Sequence, residues 1–192
     1  MKKNVILSII LIAAFSTFSF TGNLINLNLD VSGELDAGSA GTSDVDSGYS
    51  LLAEFPMPFK AGGFNLGIGT EYQLDRDVDS GGKLRFWNKY LIFSKKLVDN
   101  SFHTIQPVVK LGMGNATSAD GMPDLDDGMY YSLGVRYRLS SLAHAEISYS
   151  VNQAEIKGTN TDVDYTRINF TWGTRFDGLY KAKKQVDAYN VY

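Results

Sequence analysis

Four Asp-X-Asp tripeptides contain the residues of this chain that are best suited to chemistry. Their eight carboxylates belong to Asp44, Asp46, Asp77, Asp79, Asp124, Asp126, Asp162 and Asp164. Like charges so close together repel unless water or cations lie between them, and hard divalent cations prefer oxygen ligands of this kind. One hypothesis is therefore a rim of divalent-cation sites. The simpler interpretation is that Asp favours turns and keeps the ends of loops hydrated.

Acidic and basic residues at alternate positions inside apolar stretches form a second candidate group. The group comprises Asp30, Glu54, Glu71 and Glu146 against Lys83, Arg85, Lys89, Lys110, Arg136, Arg138, Arg167 and Arg175. Folding neighbouring stretches as hairpins places Glu146 opposite Arg138 and near Arg175, and it places Glu71 opposite Arg85. Buried ions need partners, so we predict a packed polar plug built from Glu71, Arg85, Arg136, Arg138, Glu146 and Arg175. The alternative is a gated ion path, which the excess of cations would make anion-preferring.

Catalysis finds little support in the sequence. No cysteine is present, which excludes disulfides and cysteine-based metal sites. The two histidines, His103 and His144, fall at predicted turns, and Ser141 beside His144 is more typical of a turn than of a nucleophile. The stretch from Asp75 to Phe86 has Ser80 where a calcium loop requires Gly, and Phe86 where it requires Glu. We therefore predict no enzyme and no cofactor, and the net charge of −3 implies no nucleic-acid partner.

These groups lie in stretches of about ten residues in which apolar and polar side chains alternate. Residues 131–139 are one example. A two-residue period places alternate side chains on opposite faces of a sheet. We predict eight strands, at residues 24–32, 48–57, 63–75, 83–94, 104–115, 129–140, 144–156 and 165–177. Short links join the second and third, fourth and fifth, and sixth and seventh strands, whereas the remaining links are longer or more acidic.

The two faces of the predicted sheet differ in the size of their side chains. One face holds aromatic residues such as Tyr72, Tyr131 and Trp172, and the other carries Gly67, Gly69, Gly112, Gly114, Gly134 and Gly173 among the charges. The bore of an eight-stranded barrel holds few large side chains. We therefore expect the bulky apolar face to contact lipid and the small polar face to line a narrow interior.

The fourth strand departs from this pattern. Leu84, Phe86, Tyr90 and Ile92 share the expected outer face, but Asn88 falls among them and Trp87 falls on the polar face. A β-bulge near Trp87 is one explanation.

The N-terminus is a separate segment. Lys2 and Lys3 precede an apolar run and then small residues, which is the order of a secretory signal peptide. We predict a signal peptide at residues 1–19 with cleavage between 19 and 22, a barrel at residues 23–177, and a short periplasmic tail at residues 178–192.

The mature chain resembles the small eight-stranded outer-membrane barrels of the OmpA transmembrane domain and OmpX type. The end of its last strand, residues 168–176, is similar to the closing strand that carries their assembly signal, although 16 residues follow Phe176. The resemblance implies an all-β, antiparallel up-and-down transmembrane barrel in the bacterial outer membrane. The expected partners are outer-membrane lipid and lipopolysaccharide, with divalent cations as bridges, and the barrel-assembly machinery during insertion.

Fold does not fix function, so four hypotheses follow. The first is a monomeric structural protein that supports envelope integrity or contacts other surfaces through its acidic loops. The second is a narrow channel for small solutes. The third is a lipid-modifying enzyme, and the fourth is a soluble barrel that binds an apolar ligand.

Overall fold

In the computed structural model, residues 24–38, 41–99, 103–140, 143–159 and 161–175 are described, and they form twelve strands. The eight long strands are β1 (Leu24–Asp36), β3 (Gly48–Ala61), β4 (Phe64–Gln73), β6 (Lys83–Ser94), β8 (Thr104–Ala119), β10 (Gly128–Arg138), β11 (Ala143–Ile156) and β12 (Thr161–Arg175). The four short strands are β2 (Thr42–Val45), β5 (Arg76–Asp77), β7 (Val98–Asp99) and β9 (Leu125–Asp126). All eight predicted strands are present, and the short ones were not predicted. The predicted signal peptide and tail lie outside the described residues.

The eight long strands close into a barrel. Each pairs antiparallel with its neighbours, in the order β1, β3, β4, β6, β8, β10, β11, β12 and back to β1. Closure leaves none of these strands with an unpaired edge, which hydrocarbon would not tolerate. The predicted fold class, an eight-stranded antiparallel up-and-down barrel, is confirmed. No helix long and apolar enough to cross a membrane occurs in the described parts of the chain.

The two ends of the barrel differ in their connections. The loop end carries β2, β5 and β9, and Val45 of β2 forms an isolated bridge with Val78. The turn end carries β7 and the tight β3–β4 turn, together with the first and last described residues. Gly62 and Gly63 make that tight turn with φ angles of 56° and 82°, a conformation that side chains disfavour.

Side chains alternate between an apolar exterior and a polar interior along most strands. In β10, Leu133 is 63% exposed, whereas Ser132 and Gly134 on either side of it are buried. Trp172 on β12 is 51% exposed, and its neighbour Thr171 is buried. The face that carries the bulky groups is therefore the outer one, as predicted.

Side chains of strand β6 also alternate between the interior and the exterior, but the face that we predicted to be outside lies inside. Phe86 and Tyr90 face the interior and are buried, whereas Trp87 is exposed on the exterior. Pairing is continuous along β6, so the predicted bulge near Trp87 is wrong. Interior glycines on the adjacent strands make room for these rings, because a Cβ on Gly69 would collide with Tyr90.

Irregular pairing occurs instead in β1 and β3. The register shifts between Asp30 and Ser32 against β12, and between Pro56 and Lys60 against β4. The first shift falls just where the interior changes from polar to apolar towards the loop end.

An apolar cap fills the interior at the loop end. It consists of Leu35, Val45, Val78, Leu84, Phe86, Ala154, Val163 and Tyr165. The rings of Phe86 and Tyr165 stack with their centroids 5.9 Å apart. This cluster lies inside the barrel, so the loop end of the bore is closed by packed apolar side chains.

Candidate functional site

Two clusters of buried ion pairs occupy the bore beneath the apolar cap. The upper cluster, nearer the loop end, consists of Asp30, Glu71, Arg76 and Arg167. Arg76 Nη2 lies 2.8 Å from Asp30 Oδ2, and Arg167 Nη2 lies 2.7 Å from Glu71 Oε2. Arg167 Nη1 also reaches Asp30 Oδ1 at 3.3 Å. All four side chains are essentially inaccessible to solvent, so each ion depends on its partners for stabilisation.

The lower cluster, nearer the turn end, consists of Glu54, Lys110, Arg136 and Glu146. Lys110 Nζ lies 3.0 Å from Glu54 Oε1 and 2.8 Å from Glu146 Oε1. Arg136 Nη2 lies 2.6 Å from the other oxygen of each carboxylate. The two cations and two carboxylates therefore alternate around a closed ring.

Amide and hydroxyl side chains lie between the clusters. Asn88 and Asn28 donate to the two carboxylate oxygens of Glu71 at 3.0 and 3.2 Å. Asn152 donates to Asn88 at 2.5 Å, and Thr171 donates to Asn28 at 2.7 Å. The middle of the bore is thus filled by hydrogen-bonded side chains.

The charges of the two clusters balance, which corrects the predicted excess of cations. Among the described residues the clusters contain four carboxylates and four cations. Lys83, Arg85 and Lys89 face outward, because β6 is inverted relative to the prediction. Arg76, which the sequence placed in a loop, points inward and completes the balance; Gly48 leaves room for its guanidinium. Within the two clusters, therefore, no excess of cations remains that would favour anions.

The predicted ion pairs are displaced by a few residues along the strands. Glu146 lies opposite Arg136 and Thr171, not opposite Arg138 or near Arg175. These registers differ from the predicted ones because the hairpins turn one or two residues earlier than we assumed.

Glu71 is displaced in the same way. It lies opposite Asn88 in the sheet and pairs with Arg167 across the bore. Arg85, its predicted partner, pairs with Asp75 at 3.3 Å on the outer surface.

Arg138 and Arg175 lie at the turn-end mouth of the bore. Arg138 Nη2 approaches Asp99 of β7 at 3.5 Å. Asp99 also accepts from Lys96 and Thr104, both at 2.8 Å, and these hydrogen bonds lower the pKa of its carboxyl group.

The Asp-X-Asp tripeptides owe their spacing to strand geometry. Their middle residues Val45, Val78 and Val163 are buried in the apolar cap, and Leu125 packs against it. The flanking aspartates consequently point outward, and seven of the eight are exposed, with Asp164 half-buried. In the described part of the chain, no three His, Asp or Glu side chains are grouped closely enough to hold a metal ion.

Neither histidine lies at the loop end. The imidazole of His103 contacts the Tyr137 hydroxyl near β7. His144 is buried near the turn end, and its ring packs against Gly173. Ser141, the predicted neighbour of His144, lies outside the described residues.

Comparisons with known proteins place this fold in a class. No protein-family model matches the sequence, and no curated protein is significantly similar to it. The crystal structure of Neisserial surface protein A (NspA) aligns with a TM-score of 0.53 and 11% identity, covering 80% of this chain and 97% of that one. Ail, the attachment invasion locus protein of Yersinia pestis, aligns with a TM-score of 0.49 and 11% identity over 81% and 99% of the two chains.

The closed barrel, its apolar exterior and its polar interior define a small eight-stranded transmembrane β-barrel of the outer-membrane type. The resemblance to this group that the sequence predicted is confirmed at the level of the fold. The bacterial outer membrane is the location that belongs to this class.

Proposed function

We propose that the protein is a structural and surface-contact component of the bacterial outer membrane, without catalytic activity and without an open pore. The observation that carries this proposal is the filled bore. The apolar cap and the two ion-pair clusters occupy it in succession, and eight strands leave little room for water beside them. What remains for function is the outer surface and the loop end.

Contact with outer-membrane lipid is supported by a basic and aromatic surface on the exterior. Lys89 Nζ lies 4.3 Å from the centre of the Trp87 ring, and the Arg85 guanidinium lies 5.6 Å from the centre of the Tyr72 ring. Such pairs suit the boundary between acyl chains and anionic headgroups, where long basic side chains extend towards water. The exposed aspartates of the loop end add negative charge that divalent cations can bridge to lipopolysaccharide phosphates.

Conductance of the purified protein in planar bilayers tests the closed bore. We expect no steady current, because the ion-pair clusters leave no continuous aqueous path. Large, steady open currents would refute this part of the proposal and favour the narrow channel. We also expect the barrel-assembly machinery to insert the protein into the membrane. The inserted protein should be a monomer.

Envelope integrity can be tested in cells that lack the protein. Entry of a hydrophobic dye should rise on deletion and return to normal when the wild-type chain is supplied. A variant with Asp44, Asp46, Asp77 and Asp79 changed to Asn should restore integrity less well in the presence of magnesium. Equal dye entry in all strains would contradict the proposed role.

A lipid-modifying enzyme remains the competing class, and the envelope lipids distinguish it. Mass spectrometry of lipid A and phospholipids should give the same species with and without the protein. A species that depends on the protein, and disappears when the loop-end aspartates are replaced in turn, would favour the enzyme.

A further inference from the structure

Lys89 differs from the other outward cations of β6 because no carboxylate pairs with it. Lys83 lies 3.0 Å from Asp120, and Arg85 lies 3.3 Å from Asp75. Among the described residues, no carboxylate lies within ion-pair distance of Lys89 Nζ, although the side chain is exposed. The charge of Lys89 is therefore available to a ligand from outside the chain.

Two uncharged groups hold the Lys89 ammonium in place. It donates to Asn115 Oδ1 at 2.7 Å and lies 4.3 Å from the centre of the Trp87 ring. The Asn115 amide is itself fixed, because its nitrogen donates to Asp127, which also accepts a backbone N–H of β8. The Trp87 ring is fixed because its Nε1 donates to Thr70 at 2.7 Å. An ammonium has three N–H donors and Asn115 accepts one, so donors remain for an anion outside the described chain.

The register of the sheet places Lys89 at the loop-end edge of the lipid-facing apolar band. Outward side chains of β8 are apolar from Ile105 to Met113, which matches the roughly 9–11 residues that a strand needs to cross the hydrocarbon core. Lys89 lies opposite Met113, the residue of this run nearest the loop end. Trp87 and Tyr72 pair with each other one step closer to the loop end. An exposed ammonium at this depth is costly without a partner, and such a residue indicates a binding site.

Apolar side chains lie on the membrane side of Lys89. Leu91 follows it on the outward face of β6, and Leu111 lies opposite Leu91 on β8; both are about half exposed. A ligand that reaches Lys89 from the bilayer therefore meets a cation beside the headgroups and apolar surface below it. This arrangement fits the phosphate and the acyl chains of one lipid molecule, because charge-assisted hydrogen bonds to phosphate are strong.

The loop end faces the outer leaflet in the predicted orientation, which determines the lipid. The anionic lipid of that leaflet is lipopolysaccharide, and the phosphates of its lipid A anchor lie just above the acyl chains. We propose that Lys89 binds a phosphate group of lipid A directly, without a bridging divalent cation. An ammonium attracts phosphate and repels a divalent cation, so this contact is separate from the one proposed for the loop-end aspartates. The site rests on the lipid contact proposed above and assigns it to one residue.

Fluorescence of Trp87 reports on binding, because the ring lies beside the Lys89 ammonium. The mature full-length Trp172→Phe variant, in phosphatidylcholine nanodiscs with increasing fractions of lipid A, should give a saturable change in emission. Lipid A without its phosphates should give no change, and an equal response to it would overturn the proposal. Phosphatidylglycerol should bind several-fold more weakly, because its phosphate diester carries less charge than the phosphate monoesters of lipid A. Equal binding of the two lipids would overturn the choice of lipid A.

Substitutions at Lys89 locate the site. Lys89→Gln should raise the lipid A fraction at half-saturation several-fold, whereas Lys89→Arg should retain binding because it keeps the charge. Undiminished binding in Lys89→Gln would overturn the site. Native mass spectrometry of the same samples detects bound lipid A independently of Trp87 emission, and it should show less lipid A on Lys89→Gln.

Lys95→Gln is the matched control for overall charge. Lys95 is also an exposed lysine beside an aromatic ring, with Nζ 5.8 Å from the centre of the Phe64 ring, but it lies at the turn end. Lys95→Gln should bind lipid A as the wild type does. A loss of binding as large as in Lys89→Gln would show that only overall charge matters and would overturn the site.

Removal of divalent cations separates direct binding from bridging. EDTA should leave the response of Trp87 to lipid A unchanged, and loss of the response would overturn direct binding. Dye entry into cells that lack the protein tests the proposed envelope role independently. Unchanged dye entry with intact lipid A binding would refute that role and leave the site, whereas increased dye entry without lipid A binding would refute the site alone.

Discussion

Arg167 Nη2 donates to Glu71 Oε2 at 2.7 Å across the bore, between residues 96 positions apart in the chain. Their strands, β12 and β4, are not neighbours in the sheet, so this ion pair joins opposite walls of the barrel through its interior. Both side chains are inaccessible to solvent, so removing one partner leaves a buried, uncompensated charge and costs far more than breaking a surface ion pair.

Removing the Arg167 guanidinium should destabilise the barrel severely. Arg167→Met leaves Asp30 with Arg76 alone and leaves Glu71 with no cation, so we expect a loss of about 3–5 kcal/mol in the free energy of unfolding. Urea titration of the protein in lipid vesicles measures it. Lys83→Gln, which breaks an exposed ion pair with Asp120, is the control and should leave stability near that of the wild type. A similarly small loss of stability in both variants would show that Arg167 does not stabilise the carboxylates of the upper cluster.

Gly69 provides the space that the Tyr90 ring occupies. A Cβ on Gly69 would overlap the ring, so Gly69→Ala should cost about 1–3 kcal/mol of stability. Replacing the ring with a smaller side chain in Tyr90→Leu should reduce this cost. Gly69→Ala should therefore destabilise the Tyr90→Leu variant less than it destabilises the wild type. A double-mutant cycle measures the coupling, and strictly additive effects would show that the two residues do not compete for space.

Trp87 and Trp172 should both contact lipid. The chain has two tryptophans, so Trp87→Phe and Trp172→Phe each leave a single fluorophore. Lipids brominated on their acyl chains should quench both, because the side chains are 48% and 51% exposed on the outer face. Trp87 that remained unquenched in the Trp172→Phe variant would reverse the assignment of the β6 faces.

The Asp99 carboxyl group should remain ionised at lower pH than an ordinary aspartate. Hydrogen bonds from Lys96 and Thr104 lower its pKa, so the contacts of the β7 turn persist below the usual Asp range and are lost as the pH falls through the lowered pKa. An NMR titration of the carboxyl group measures the midpoint. Thr104→Val removes one donor and should move the pKa back towards its ordinary value; an unchanged midpoint would exclude that hydrogen bond as a cause.

Strand number, closure and the lipid-facing side of most strands could be predicted from the two-residue period. The period assigns residues to two faces but does not say which face is inside, and composition decides that. Composition misled in β6, because Phe86 and Tyr90 are large and apolar yet lie inside. The informative signals were Asn88 on their face and Trp87 on the other, together with glycines on adjacent strands that accommodate the rings.

The site was harder to predict than the fold. A shift of two residues in the register of β10 against β11 makes Arg136, instead of Arg138, the partner of Glu146. Such a shift leaves every side chain on the face where the two-residue period places it. Arg76 was missed because β5 is a two-residue strand beyond the predicted end of its neighbour. Contacts across the bore, such as the one between Arg167 and Glu71, depend on the closed shape and leave no pattern in the sequence.

Equal numbers of carboxylates and cations in the two clusters also determine how the barrel responds to voltage. An electric field acts on net charge, with a free energy of about 2.3 kcal/mol per elementary charge per 100 mV. The four anions and four cations of the two clusters cancel, so a potential difference across the membrane exerts almost no net force on the clusters. A voltage between the cell surface and the periplasm therefore does not drive the ion-pair clusters as a whole towards either side of the membrane.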